Sequence, residues 1–338
     1  MKKSLFSLLA VVAMVSCTQS DVIEVVSNED VEIRVASSAI AAETVTRAPF
    51  EGALSNAHSM DARVLVSETS GNYTTTYAND KMIFGDNAGV TPVGFATAKY
   101  YPADNRTLYM CGLYPFENWN TPANNECKFT FDGSQDVMAA PEKSSSKDAS
   151  KGGTYPQLDF KHLLTQLVIK TVAADADAIT VWGNLTDITL TKVGTNNPSS
   201  TITVDLKQGL ADEDAAFGGA LPAGMTFWVK GATPEAKFTT QAKALAVAPG
   251  EEVAYAMVAP LKNATGTSDY TLTVKTVNSG STAVVVPVNL KKTGGTAYTG
   301  TTQGKKFIIT LTFIGTKIEA LATVDDWTED GNSDAEIQ

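Results

Sequence analysis

Val31-Glu32-Ile33-Arg34-Val35 sets three β-branched apolar residues at alternate positions, with a charged residue in each gap. Side chains of an extended strand alternate between faces, so this stretch offers one apolar face and one charged face. The same period of two recurs outward along the chain, at residues 63–66, 81–84, 128–131, 167–172, 188–191, 201–206, 226–230, 253–258, 270–275, 284–288 and 307–313. Pro287 places its strand at an edge or a bulge, because proline cannot donate to a ladder. Turn signals separate the runs: Gly71-Asn72, Asp86-Asn87, Asp132-Gly133, Asn196-Asn197-Pro198, Asn278-Ser279-Gly280 and Gly294-Gly295. Many short strands divided by turns predict an all-β fold. The expected form is two β-sandwich domains in tandem, Greek-key and transthyretin-like, with minor helix over residues 159–165.

The N-terminus carries a different signal. Lys2 and Lys3 precede an apolar run over residues 5–15, broken only by Ser7, and Ser16-Cys17 follows. Such a run is too short to span a bilayer of roughly 30 Å as a helix, but it suits a signal-peptide h-region. No A-x-A cleavage site is present, and Cys17 stands where a lipoprotein signal peptidase cuts, as in a bacterial lipobox. The plainer alternative is an ordinary secretion signal with an incidental cysteine.

Without that leader about 320 residues remain, enough for two domains that each bury a core. The formal charge of −11 and pI near 4.7 argue against nucleic acid or anionic lipid as partner, because both need a basic surface. The polar run over residues 141–153, rich in Ser, Lys and Gly, reads as a solvated seam between the domains, or else as a long loop within one. Cys111 and Cys127 are compatible with a disulfide in an exported protein, and equally with two buried thiols.

Catalytic chemistry is hard to find. Any His-based metal cage or Ser-His-Asp triad would have to use His58 or His162, which lie in different regions. His162, between apolar neighbours, is expected to be a packed histidine satisfied by a backbone group. No P-loop, nucleophile elbow or zinc-protease motif occurs. Oxygen donors alternate over residues 330–336, but without the glycine and twelfth-position ligand of a calcium loop, so a solvated acidic tail is expected. No metal site or cofactor is expected. Trp119 and Trp182 could stack on sugars, though core packing is the commoner use of such side chains.

Four segments carry a family resemblance. Tyr100-Tyr101-Pro102-Ala103-Asp104 with Tyr114-Pro115 resembles paired Tyr-Pro segments, and Gln135-Asp136-Val137-Met138-Ala139-Ala140 resembles an Asp-Leu-Leu-x-Ala strand. Phe160-Lys161-His162 leading into a strand is similar to a Phe-x-His motif, and Val324-Asp325-Asp326-Trp327 to a terminal Val-x-x-Trp. In this order, with the lipobox and Thr46-Arg47-Ala48-Pro49-Phe50, the chain resembles the fimbrillin family of type V pilins from Gram-negative bacteria. The resemblance is thinnest over residues 207–300.

That resemblance implies a pathway. The precursor would be lipidated at Cys17, carried to the outer-membrane surface, and cut after Arg47 by a trypsin-like protease, leaving Ala48 as the mature N-terminus. The cut would free the strand bearing Val31, Ile33 and Val35, and a strand from another pilin subunit would fill the groove. The implied parts are a leader at 1–16, a lipidated propeptide at 17–47, an N-terminal sandwich at 48–156 and a C-terminal sandwich at 157–338. The family's donor strand is C-terminal, which points to Ile318, Leu321 and Val324. With a short acidic tail beyond Trp327, a tip or minor subunit is expected, serving adhesion and biofilm formation on the cell surface.

Residue chemistry supports the cut independently. Arginine occurs only at positions 34, 47, 63 and 106. Arg34 and Arg63 adjoin strand-like runs, whereas Arg47 lies among Thr, Ala and Pro, in an accessible loop. Burying Val31, Ile33 and Val35 is worth roughly 4 to 8 kcal/mol before ordering costs. Other classes stay open: an uncleaved surface lipoprotein binding glycan or protein ligands, a pilus anchor, or a β-sandwich hydrolase, for which no carboxylate pair is evident.

Overall fold

The structure, a computed structural model, describes residues 30–39, 59–85, 92–123, 125–209, 216–232, 235–280, 282–292 and 294–325. In chain order its strands begin with β1 Arg34–Ala39, β2 Met60–Ser67, β3 Ala78–Phe84, β4 Val93–Gly94, β5 Leu108–Tyr114, β6 Glu126–Thr130 and β7 Met138–Ser145. There follow β8 Gln157–His162, β9 Thr165–Ala173, β10 Leu185–Val193, β11 Thr201–Asp205, β12 Ala216–Gly218, β13 Met225–Thr226 and β14 Trp228–Val229. The last are β15 Glu251–Val258, β16 Tyr270–Thr276, β17 Val284–Val288, β18 Leu290–Lys291, β19 Lys306–Ile314 and β20 Lys317–Asp325. Among the described residues, helix is limited to α1 Lys147–Lys151, α2 Ala176–Trp182 and a 3-10 turn at Phe238–Thr240. None of these is long and apolar enough to cross a membrane.

The all-β expectation holds. Seven strands form the first sheet, in the order β3-β2-β5-β7-β8-β1-β4. Its two outermost strands, β3 and β4, touch, so the sheet folds round its own inner face. That face buries Val64, Val66, Met82, Phe84, Leu108, Met110, Met138, Leu158 and Phe160 in one cluster. In the second half, a four-stranded sheet (β13-β10-β16-β17) and a six-stranded sheet (β14-β15-β9-β19-β20-β18) share one core. Ile188, Leu190, Leu272 and Val274 from the first of these meet Leu167, Ile169, Phe307, Ile309 and Leu311 from the second.

The two halves are joined by more than the chain between them. β6, from the first half, pairs antiparallel with β11, from Thr130↔Thr201 to Glu126↔Asp205. With β12 these strands make a three-stranded sheet whose Phe129, Ile202 and Val204 pack in one core with Leu65, Cys111, Leu113 and Ala139 of the first sheet.

Two local expectations are corrected. Residues 159–165 are not helical: Gln157–His162 is strand β8, with Leu158, Phe160 and His162 buried at alternate positions. β8 pairs with β7 and β1 and so completes the first sheet, beyond the expected 156/157 boundary. Nor is 141–153 a solvated seam, since it carries the end of β7 and all of α1. Its polar residues have partners. The Glu142 carboxylate accepts from the Ser70 hydroxyl (2.6 Å), the Gly71 amide (2.8 Å) and the Tyr73 hydroxyl (2.8 Å). Lys143 lies 3.6 Å from Asp159, and the hydroxyls of Ser145 and Ser150 are 3.2 Å apart. Polar composition marks a loop only where those groups are left to water.

Candidate functional site

Val31 to Val35 lie at the closure of the first sheet. β1 runs parallel to β8, from Ala36↔Gln157 to Ala39↔Phe160, and antiparallel to β4 at Arg34↔Gly94 and Val35↔Val93. Backbone hydrogen bonds continue this on both sides. The Ile33 amide donates to Lys99 (2.7 Å), the Tyr101 amide to Val31 (2.9 Å), and the Ala36 amide to Pro156 (2.9 Å). The segment is therefore an inner strand, held along both edges.

Alternation then decides which side chains go inside. Ile33 and Val35 are fully buried, and the half-buried Val31 packs on the same cluster. Around them stand Phe95, Tyr101, Leu158 and Phe160. The alternate residues face outward: Arg34 pairs with Glu32 at 2.7 Å near the surface, a contact worth little in water. A Cβ at Gly94 would crowd only the Glu32 carboxylate, the flexible end of a partly exposed side chain that can turn aside. Burying Ile33 and Val35 accounts for roughly 3 to 6 kcal/mol of transfer free energy. Taking the strand away would also bare the edges of β8 and β4, whose N–H and C=O groups would then template another strand.

Cys17, Arg47 and Ala48 lie outside the described residues, as do His58, the acidic tail and Trp327. β1 is thus the described part of the proposed processing region. The expected donor residues lie in β20, which pairs along its whole length with β19 and at Ala322 and Thr323 with β18. Ile318 and Val324 pack inward beside Ala320 and Ala322. Leu321 is 55% exposed and points the other way, so the three do not share a face. Spacing by three is helical, whereas a strand groups residues by two.

Cys111 and Cys127 are free, buried thiols in the layer between the first sheet and the β6–β11 ladder. The Cys127 thiol donates to the Asn120 carbonyl (3.1 Å), and burial pushes its titration up to about 11. Burial likewise raises the Cys111 thiol. His162 is held by a side chain where a backbone group was expected, its Nδ1 2.7 Å from Oδ2 of Asp136, both buried. Asp136 sits in the Asp-Val-Met-Ala segment quoted above, and nothing in single-sequence spacing ties it to His162. Trp119 and Trp182 are core residues, each 8% exposed, packed on Phe129 and Phe313 respectively. No group of three His, Cys, Asp or Glu among the described residues is arranged to hold a metal ion.

Comparison with known proteins agrees with this architecture. A candidate cell adhesion protein of Bacteroides uniformis superposes with a TM-score of 0.51 at 18% identity, over 88% of this chain and 99% of that one. A second, from Bacteroides ovatus, gives a TM-score of 0.50 at 14% identity, over 90% of this chain and all of that one. At such identities the likeness is one of fold. No curated protein matches the chain. The sequence profile described as Fimbrillin-like, however, matches residues 46–327, most of the chain. The chain therefore belongs to the fimbrillin-like family.

Proposed function

We propose that this chain is a pilus subunit made as a surface lipoprotein and assembled by strand exchange, at the tip or as a minor component. Cys17 carries the lipid that holds the precursor at the outer membrane. A trypsin-like protease cuts between Arg47 and Ala48. β1 then leaves with the propeptide, and a strand from another subunit takes its place between β8 and β4. The assembled fibre serves adhesion and biofilm formation.

One observation carries this reading: the most N-terminal described strand, upstream of Arg47, fills an inner position of the first sheet with Ile33 and Val35 fully buried. Such a strand can complete the fold before the cut and leave an apolar groove with two open edges after it. The family match begins at residue 46, next to the proposed cut.

N-terminal mass spectrometry of protein extracted from the cell surface tests the proposal. The expected species starts at Ala48 and runs as SDS-resistant oligomers, and Arg47→Ala should trap the lipidated precursor. Recovery of the lipidated full-length form alone would refute assembly and leave an anchor or ligand-binding lipoprotein.

A further inference from the structure

Two hydroxyl groups at the strand-filled groove are buried and have no hydrogen-bond partner among the described residues. One is the Ser37 Oγ on the resident strand, where the residue is 1% exposed. The other is the Tyr101 hydroxyl in the groove wall, where the residue is 3% exposed and packs in the same cluster as Ile33 and Val35. Ser37 is the next inward position after Ile33 and Val35, and it stands beside the buried Leu158 of β8. An apolar neighbourhood receives a polar group there and returns no hydrogen bond. A buried, unsatisfied hydroxyl opposes burial, whereas an apolar group of the same size favours it. The rest of the resident strand fits well, with two β-branched side chains fully buried and backbone bonds on both edges.

Building on the strand-exchange reading, we propose that the groove is matched to a strand other than the one it first holds, and that the Ser37 position makes the distinction. The preferred partner is an extended segment of another subunit. It carries β-branched apolar residues at the two inward positions now held by Ile33 and Val35. At the third it carries a small apolar residue such as alanine in place of serine. Ser37 is then a specificity-determining residue: it leaves the resident strand stable enough to complete the fold and weak enough to be replaced.

The test uses the full-length chain and two variants, each cut at Arg47 with an arginine-specific protease, and follows release of the N-terminal fragment by native mass spectrometry. Ser37→Ala removes the orphan hydroxyl without adding bulk. Its fragment should leave about tenfold more slowly than the unaltered one, equivalent to about 1.4 kcal/mol. Val35→Thr adds a second hydroxyl at nearly constant shape and should speed release by a similar factor. A Ser37→Ala fragment that leaves at the unaltered rate or faster overturns the proposal while strand exchange itself stands. If no fragment leaves any of the three cut proteins, Val35→Thr included, even with excess of a peptide that carries two β-branched residues and then alanine at its inward positions, the strand is not exchanged, and the inference falls together with the reading it rests on.

Discussion

Replacing Ile33 by alanine should weaken the closing strand by an amount the structure fixes closely. Ile33 is fully buried, so the change withdraws three methylene-sized carbons from an apolar site, about 2.4 kcal/mol at roughly 0.8 kcal/mol each. The space left behind cannot easily collapse. The Ile33 amide is tied to Lys99, and the strand is paired with β8 on its other side. A cavity cost therefore adds to the transfer cost, for a total of about 3 to 4 kcal/mol. The loss should be local. Hydrogen exchange of the uncut chain should show protection at the Tyr101 and Ala36 amides, which bond to Val31 and Pro156, falling by about two to three powers of ten. Amides of β9 and β19 should keep their protection. A fall of less than tenfold at Tyr101 and Ala36, or an equal fall throughout the chain, would show that the strand does not close the sheet as a separable element.

Three further outcomes are expected. Gly112→Ala sets a methyl group into the Phe160 ring, which stands edge-on to Phe84 at 5.7 Å, and should cost about 1 to 3 kcal/mol by urea unfolding at an unchanged slope. Glu142→Ala strips the acceptor from the Ser70 and Tyr73 hydroxyls and the Gly71 amide, leaving the buried Tyr73 hydroxyl only the weak Cys111 thiol as a partner, and should lower stability by about 1 to 3 kcal/mol in the same assay. Cys111 and Cys127 should resist a thiol reagent at pH 8 in the folded chain and both react in urea. Because burial raises the Cys127 thiol from 9.0 to about 11, the folded form holds its proton where the unfolded form loses it. The stability it contributes is complete below pH 9 and is lost as the pH rises towards 11, which thermal melts across that range would register.

Much of the fold was legible because alternation is a local property. Val31 to Val35 announces its faces without reference to anything else, and so does the run from Phe307 to Phe313, which became β19 with Phe307, Ile309, Leu311 and Phe313 buried. What stayed hidden depends on partners far away in the chain. The segment after Pro141 looked like a loop because its polar groups are visible in sequence, while Ser70, Gly71 and Tyr73, which satisfy Glu142, are some seventy positions earlier. Asp136 as the partner of His162 was missed for the same reason. So was the ladder of β6 with β11, which ties residues 126–130 to residues 201–205. Of the groove, the strand was readable and the wall was not: Phe95 and Tyr101 join it only once the sheet has folded round. Ile318, Leu321 and Val324 were legible as members of one strand, while the placing of Leu321 on the face opposite the other two follows from a repeat of two.

The parallel pairing of β1 with β8 has a mechanical consequence. β1 enters from the N-terminal side, while β8 hands the chain on at its C-terminal end, through the buried Leu163 and Leu164, to the rest of the fold. Tension applied between those two ends pulls the strands lengthwise past each other. All four residue pairs from Ala36↔Gln157 to Ala39↔Phe160 then bear the load together, and none can be unzipped ahead of the others. A tug from the N-terminal side thus meets the pairing in its strongest direction. Departure sideways, one pair at a time behind an invading strand, meets it in its weakest.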